Sequence, residues 1–384
     1  MLRVVMGLAA CLLTVAPASA AFETRAQSAW VADLTTGTVL LEKQSDVPLP
    51  PASMSKLMTL YMLFEALRDG RVTMETRFGV SDRAAAMGGS TMYLDQRDRP
   101  TVEELIQGIV VQSGNDSTVV VAEGLAGTED AFARLMNDRA QELGLENSSF
   151  TNASGWPNPN HRMSMEDLGR LASLLITEFP EYYGYFAQQE FPFDGRAPQN
   201  RFNRNPLLGL GIGADGLKTG HTQEAGYGLV GSAQQGSRRI VFALSGMQSE
   251  QERSEEAERV VNWAFRQFVE KTVAEEGQRF GDVPVWMGQR PQVALVAPEA
   301  MTVLLPATQR DEPRAEIVYR SPIQAPIEAG EQIAELVIPR EDMTEARLPL
   351  VAERAVPAGG FVPRIRSAAI ILFDKALGEV QALR

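Results

Sequence analysis

Between Ser53 and Leu67 the chain reads SMSKLMTLYMLFEAL, a run of good helix formers that is apolar on nearly every face and carries one lysine in its first turn. A helix of that character is buried, so the fold must wrap it with other elements. The lysine is the anomaly. Among 36 basic residues the only lysines are Lys43, Lys56, Lys218, Lys271 and Lys375. Guanidinium stays charged in any protein setting, whereas a buried ammonium can lose its proton and act as a base. Lys56 follows Ser53 by three residues, so a helix puts Oγ and Nζ on one face, one turn apart. Near a helix N-terminus, Ser53 would also place an attacked carbonyl oxygen beside free backbone N–H groups. A serine beside a desolvated lysine is a nucleophile–base pair. The plain alternative makes Ser53 an N-cap and Lys56 a snorkelling surface residue.

The wrapping elements are read from pattern. Residues 29–43 give two strands around Thr35-Thr36-Gly37. Stretches 101–123, 128–143 and 164–177 have helical spacing, and Ser164 with Asp167 predicts a capping box for the last. From Gly216 the pattern turns to strands: GYGLVGSA, a turn at 234–237, then RRIVFALSG. Residues 251–274 are expected to return to helix. Residues 283–356 hold short Val/Leu/Ile strands among prolines, the texture of a small β-sandwich or barrel. After Gly360, one face of a helix collects Ile365, Ala369, Leu372, Phe373, Ala376, Val380 and Leu383 beside a net positive charge. The expected organisation is a leader over 1–20, a catalytic domain over 21–275, a β-rich domain over 276–360 and an amphipathic helix over 361–384. A basic amphipathic helix suits a membrane surface; the same face could dock on the β-rich domain instead.

Composition narrows the chemistry. Residues 1–20 combine Arg3, an apolar run and Ala18-Ser19-Ala20, a secretory leader too short to span a bilayer. Leu8-Ala9-Ala10-Cys11 offers a lipobox as the rival reading. Removal of the leader takes away the only cysteine, so neither a disulfide framework nor a thiolate cluster is expected. The two histidines, His161 and His221, stand far apart without HExxH spacing, and no metal or cofactor is expected. His161 reads as a loop residue. A formal net charge of -13 argues against a nucleic-acid partner.

Two further segments join the serine–lysine pair. Ser113-Gly114-Asn115 puts a hydroxyl and an amide at the end of a buried apolar stretch. Lys218-Thr219-Gly220-His221 heads a strand along whose edge an extended peptide could add. Each alone reads equally as a turn. In order and well separated, Ser-x-x-Lys, Ser-x-Asn and Lys-Thr-Gly are the set of penicillin-binding proteins and class A β-lactamases. With PASMSKLMT, QSGND, FTNASG, NRN, DGLKTGHT, AGYGLVGSA and NWAFRQF spread over roughly 25–275, the chain resembles the low-molecular-mass penicillin-binding proteins, the serine-type D-alanyl-D-alanine carboxypeptidases.

That resemblance implies an α+β, transpeptidase-like catalytic domain: an antiparallel sheet flanked by helices, with a helical subdomain, followed by a small all-β domain. It implies Ser53 as the acylated nucleophile, Lys56 as general base, Ser113 as proton relay, and Asn115 as holder of the substrate amide and brace of Lys56. Lys218 would supply positive potential, with Gly220 beside it on the strand. Thr219 and Arg204, of Asn203-Arg204-Asn205, would grip the substrate carboxylate, and the backbone N–H groups of Ser53 and His221 would form the oxyanion hole. The implied reaction removes the terminal D-alanine of peptidoglycan stem pentapeptides, with β-lactam antibiotics as inhibitors. It would run in the periplasm at the outer face of the inner membrane. A DD-endopeptidase acting on crosslinked peptides would use the same residues. A serine β-lactamase needs Glu-x-x-Leu-Asn, which Glu166-Asp167-Leu168-Gly169-Arg170 breaks. A non-catalytic envelope scaffold would have no use for the reactive set, and no Gly-x-Ser-x-Gly pentad supports an esterase.

Overall fold

The strands read around Thr35-Thr36-Gly37 form β1 (Ser28–Asp33) and β2 (Thr38–Lys43), an antiparallel hairpin at one edge of a five-stranded sheet. The computed structural model describes residues 22–360 apart from 197, 312, 313 and 342; the leader read over 1–20 and the helix read over 361–384 lie outside them. The chain leaves the sheet after β2 and returns for β3 (Ala214–Thr222), β4 (Gly226–Gln235) and β5 (Arg238–Met247). The order is β2-β1-β5-β4-β3, every neighbouring pair antiparallel, with Val31 opposite Phe242 where the two halves of the chain meet.

Between β2 and β3 the described residues build seven α-helices: α1 (Lys56–Arg68), α2 (Asp82–Ala85), α3 (Val102–Val110), α4 (Asn115–Ala126), α5 (Glu129–Glu142), α6 (Met165–Glu178) and α7 (Pro180–Tyr183). As its apolar surface demands, α1 is central: Leu57, Met58, Leu60, Tyr61, Leu63 and Phe64 are all fully buried. Each such side chain is worth about 1.5–3 kcal/mol of transfer free energy. Helix α6 covers β1 and β5, while α8 (Glu250–Arg266) covers β4 and β5. There Ala257, Val260 and Val261 join Val31, Leu229 and Phe242 in a core of their own. The sheet therefore lies between two helical layers, with the remaining helices packed beyond α1.

Three local expectations change. The helical stretch 101–123 is two helices, broken at 111–114, where Ser113 takes φ 57 and the Gly114 amide bonds back to Gly108 O. Ser164 does cap α6, accepting from the Asp167 amide, but the box is half-made: the Asp167 carboxylate turns away to the Asn147 amide and Ser148 Oγ. Helix α8 stops at Arg266, and the residues read as its continuation form β6 (Phe268–Ala274), paired with β9 (Met301–Pro306). Val269, Thr272 and Val273 favour that pleated partner over a further helical turn.

The remaining strands are β7 (Arg279–Trp286), β8 (Gln292–Val296), β10 (Glu316–Val318), β11 (Ile323–Gln324), β12 (Gln332–Arg340) and β13 (Met343–Ala352). They form a six-stranded sheet, order β10-β12-β13-β8-β7-β11, around a separate core of Val283, Leu295, Val303, Leu336 and Leu350. Arg238 ties the two parts together, donating to Asp33 in β1, to Ala264 O in α8 and to Phe268 O in β6.

Candidate active site

Ser53 lies in a 3₁₀ turn, Ala52–Ser55, that runs directly into α1. The turn is held against the sheet by a missing side chain. Gly220 and Gly228 face each other across β3 and β4, and a Cβ on Gly220 would stand 2.8 Å from Pro51 O and 3.0 Å from Met54 Cγ. The side chain of Met54, next to Ser53, fills the space the two glycines leave. Edge strand β3 is thereby brought along the serine turn.

Lys56 is fully buried, which removes the surface-lysine alternative, and the turn at Ser53 makes no side-chain cap bond. Its Nζ lies 2.7 Å from Ser53 Oγ, 2.8 Å from Asn115 Oδ1 and 2.6 Å from Ser154 O. Burial, and after it the charge of Arg204, holds this ammonium down to about 7; Asp116 pulls the other way. The Asn115 amide orientation is fixed because Nδ2 donates to Gly88 O at 2.8 Å. A neutral amine has two N–H donors and one lone pair. Asn115 Oδ1 and Ser154 O can only accept, so they take the two hydrogens, and the lone pair is left facing the Ser53 hydroxyl.

Ser154 is a site residue that motif reading did not single out, although it lies within FTNASG. Asn152 Oδ1 accepts from the amides of Ser154, Gly155 and Trp156, folding this loop so that Ser154 O faces Lys56. Gly155 is required there: its φ is 77, and a Cβ would fall 1.9 Å from Ala52 O. His161, read as a loop residue, is buried beneath the same loop, with Nδ1 accepting from the Thr151 amide at 3.3 Å. Burial, then the nearby Lys56 charge, pushes it down to about 4. Ser113 sits at the α3–α4 break, buried, and its Oγ has no hydrogen-bond partner among the described residues.

The opposite wall is β3. Lys218 is buried, and its Nζ has one long contact, 3.3 Å to Thr219 O. Burial, then the charges of Lys56, Arg204 and Arg253, pushes it well below its ordinary value. Arg204 arrives from the loop before β3 and donates to Ser90 Oγ, Gln112 O and Asn200 Oδ1, with no carboxylate partner among the described residues. His221 is the last but one residue of the strand; its exposed ring stacks on Tyr227. The structure thus gathers Ser53, Lys56 and Asn115 by direct bonds and brings Gly220 against their turn. Arg204 also reaches back to the main chain next to Ser113. Glu166 is in the first turn of α6, bonded to Arg170. Among the described residues no group of His, Cys, Asp or Glu side chains could hold a metal ion.

Residues 14–248 match the family described as D-alanyl-D-alanine carboxypeptidase, and residues 268–358 match the penicillin-binding protein 5 C-terminal domain. The D-alanyl-D-alanine carboxypeptidase DacF of Bacillus subtilis is 32% identical over 346 residues, covering 88% of this chain and 87% of its own. Penicillin binding protein 5 of Haemophilus influenzae superposes with a TM-score of 0.76 at 29% identity, covering 87% of this chain and 98% of its own. Penicillin-Binding Protein D2 of Listeria monocytogenes, solved in an ampicillin-bound form, gives a TM-score of 0.57 at 27% identity, covering 63% of this chain and 98% of its own. This chain therefore belongs to the D-alanyl-D-alanine carboxypeptidase family of serine peptidases, the low-molecular-mass penicillin-binding proteins.

Proposed function

We propose that Ser53 is the residue acylated in the carboxypeptidase reaction and that Lys56 is its base. The observation that carries this is the Lys56 amine, whose two acceptor-only neighbours leave its lone pair to Ser53. In the first step Nζ takes the hydroxyl proton as Oγ attacks the carbonyl of the penultimate D-alanine. The oxyanion forms against the amides of Ser53 and His221, donors worth about 3–4 kcal/mol each when lost. The peptide bond to the terminal D-alanine then breaks, its nitrogen receiving the proton from Lys56 through Ser113. Water hydrolyses the ester with Lys56 again as base. Arg204 and Thr219 hold the terminal carboxylate, and Lys218 supplies positive potential on the same wall.

A β-lactam presents its ring carbonyl and carboxylate to the same groups and stops at the acyl stage. Intact mass of the protein after penicillin treatment should show one penicilloyl adduct, mapping by peptide to Ser53. No adduct, or one elsewhere, rejects the assignment. Free D-alanine released from a pentapeptide, with crosslinked dimers left uncut, separates carboxypeptidase from endopeptidase action.

The leader pattern over 1–20 and the basic, amphipathic 361–384 support a place in the periplasm, on the outer face of the inner membrane. A chain ending at Pro357 should wash off membranes that retain the full-length protein; equal release of both would end this reading.

A further inference from the structure

The guanidinium of Arg253, in the first turn of α8, is an unexplained buried charge. The residue is 5% exposed, yet its guanidinium makes no hydrogen bond to any described residue, and its Nε is buried without an acceptor. Such a group is costly unless something else needs it there. What it meets is the ring of Tyr227, whose centroid lies 5.8 Å from Cζ, within cation–π range. The same ring stacks on His221, centroids 3.9 Å apart and planes 28° apart. His221 and Tyr227 are register partners near the tip of the β3–β4 hairpin, one pair before Thr222 and Gly226. The His221 ring is exposed, so its stack buries little apolar surface of its own. Ala225 at the tip is already held by Ser245 and Gly246; the column's mechanical effect is to add a side-chain tie from the His221 end of β3 to a helix packed on β4 and β5.

We infer that Arg253, acting through Tyr227, is a positioning residue that fixes the His221 amide relative to the reacting carbonyl. The inference rests on the assignment of that amide to the oxyanion hole. A preorganised donor works because it does not move when charge develops, so a tip that drifts weakens the transition state more than the ground state. Arg253 is one of the charges that lower the Lys218 value, and Arg204 in turn acts on Arg253, which leaves one competing role: direct contact with a substrate carboxylate. The two roles separate kinetically, because a carboxylate contact acts in the ground state and raises KM.

The test uses the full-length protein and benzylpenicillin, reading the acylation rate and the infrared stretch of the acyl-enzyme ester carbonyl. An oxyanion hole polarises that carbonyl and lowers its frequency. Tyr227→Leu and Arg253→Gln should each slow acylation about tenfold, a fraction of the loss from removing a whole donor. Each should also move the carbonyl stretch to higher frequency. The double variant should do little more than either alone, and Tyr227→Phe should restore both readouts. With a D-alanyl-D-alanine peptide, kcat should fall while KM stays put. An unchanged carbonyl stretch in either variant overturns the inference, as does a raised KM with kcat intact, which would make Arg253 a carboxylate ligand. If Tyr227→Leu does not fold, Arg253→Gln alone decides, since it acts from the far end of the column. Failure of the wild type to form an adduct at Ser53 would instead remove the site assignment beneath the inference.

Discussion

On the helical wall of the cleft, Lys56 is fully buried and each of its ammonium hydrogens has an oxygen between 2.6 and 2.8 Å away. On the sheet wall, Lys218 is also buried but has one contact, at 3.3 Å to Thr219 O. The same cost of desolvation is met in one place and left open in the other. A buried amine with its shell complete needs no ligand and is suited to moving a proton. A buried amine short of acceptors, as Lys218 is, has its shell completed only when an anion arrives, which suits it to binding one. On the proposed mechanism the two walls therefore divide the labour: the helices carry the chemistry and the strand recognises the carboxylate end of the substrate.

The hardest blow to this division falls on the helical wall. Lys56→Arg keeps a cation beside Ser53 but one that cannot give up its proton. Acylation by penicillin should fall by about 10³-fold, within the span a general base contributes. Stopped-flow acylation with a near-UV spectrum confirming the fold would check it. Acylation at a wild-type rate would mean that the amine does not take the serine proton. The pH profile carries the same content with a sign. With Lys56 held down to about 7, only the neutral form is competent, so below that pH the rate should drop about tenfold per unit, and above it level off. A limb near the ordinary lysine value would show that burial does not tune this group.

Arg204 stands on both sides of the comparison, because its charge is the second cause of the lowered Lys56 value. Arg204→Gln should raise KM about 10–100-fold, the worth of a charge-assisted hydrogen bond to a carboxylate. Removing a positive neighbour also raises the Lys56 value, so the acid limb of the rate profile should move to higher pH. If KM alone changes, the two walls are electrically independent.

The sequence exposed the first wall more fully than the second. The Ser53–Lys56 spacing and the apolar run after it are local, and a helix apolar on nearly every face favours an inside place for its lysine over the surface alternative. The third Lys56 acceptor was hidden because it is a backbone carbonyl, Ser154 O, aimed by an Asn152 side chain; nothing in a residue's name says where its main chain points. His161 lies in a loop, as read, but its burial was hidden for a related reason, since a polar ring in a Pro- and Asn-rich loop gives no sign that the loop is folded over it. Arg253 stands among glutamates at the start of α8 and carries no signal of its own in the sequence; only the packing of α8 against the β3–β4 hairpin reveals its place. The end of α8 was missed because FVEK has the composition of either state until β9 supplies a partner.

The smallest effect tests the spacing between the walls. Gly220 has ordinary strand geometry, so an alanine there carries no backbone strain; what it meets is contact. Its Cβ would lie 2.8 Å from Pro51 O, 3.0 Å from Met54 Cγ and 3.2 Å from Ala52 Cβ. Met54 can shift its flexible end, but the Pro51 carbonyl is main chain of the very turn that presents Ser53, so β3 and the turn must part by a few tenths of an ångström. Thr219 and His221 would move with the strand while Lys56 and Asn115 stay with the helices. Because displacements near 1 Å can cost about 10²-fold, Gly220→Ala should slow acylation by about tenfold. The acid limb near pH 7 should not move, since the surroundings of Lys56 on its own wall are unchanged. A lower plateau with an unmoved limb would show that the walls can be separated mechanically without disturbing the base. A moved limb would mean that the strand itself helps to keep that amine neutral.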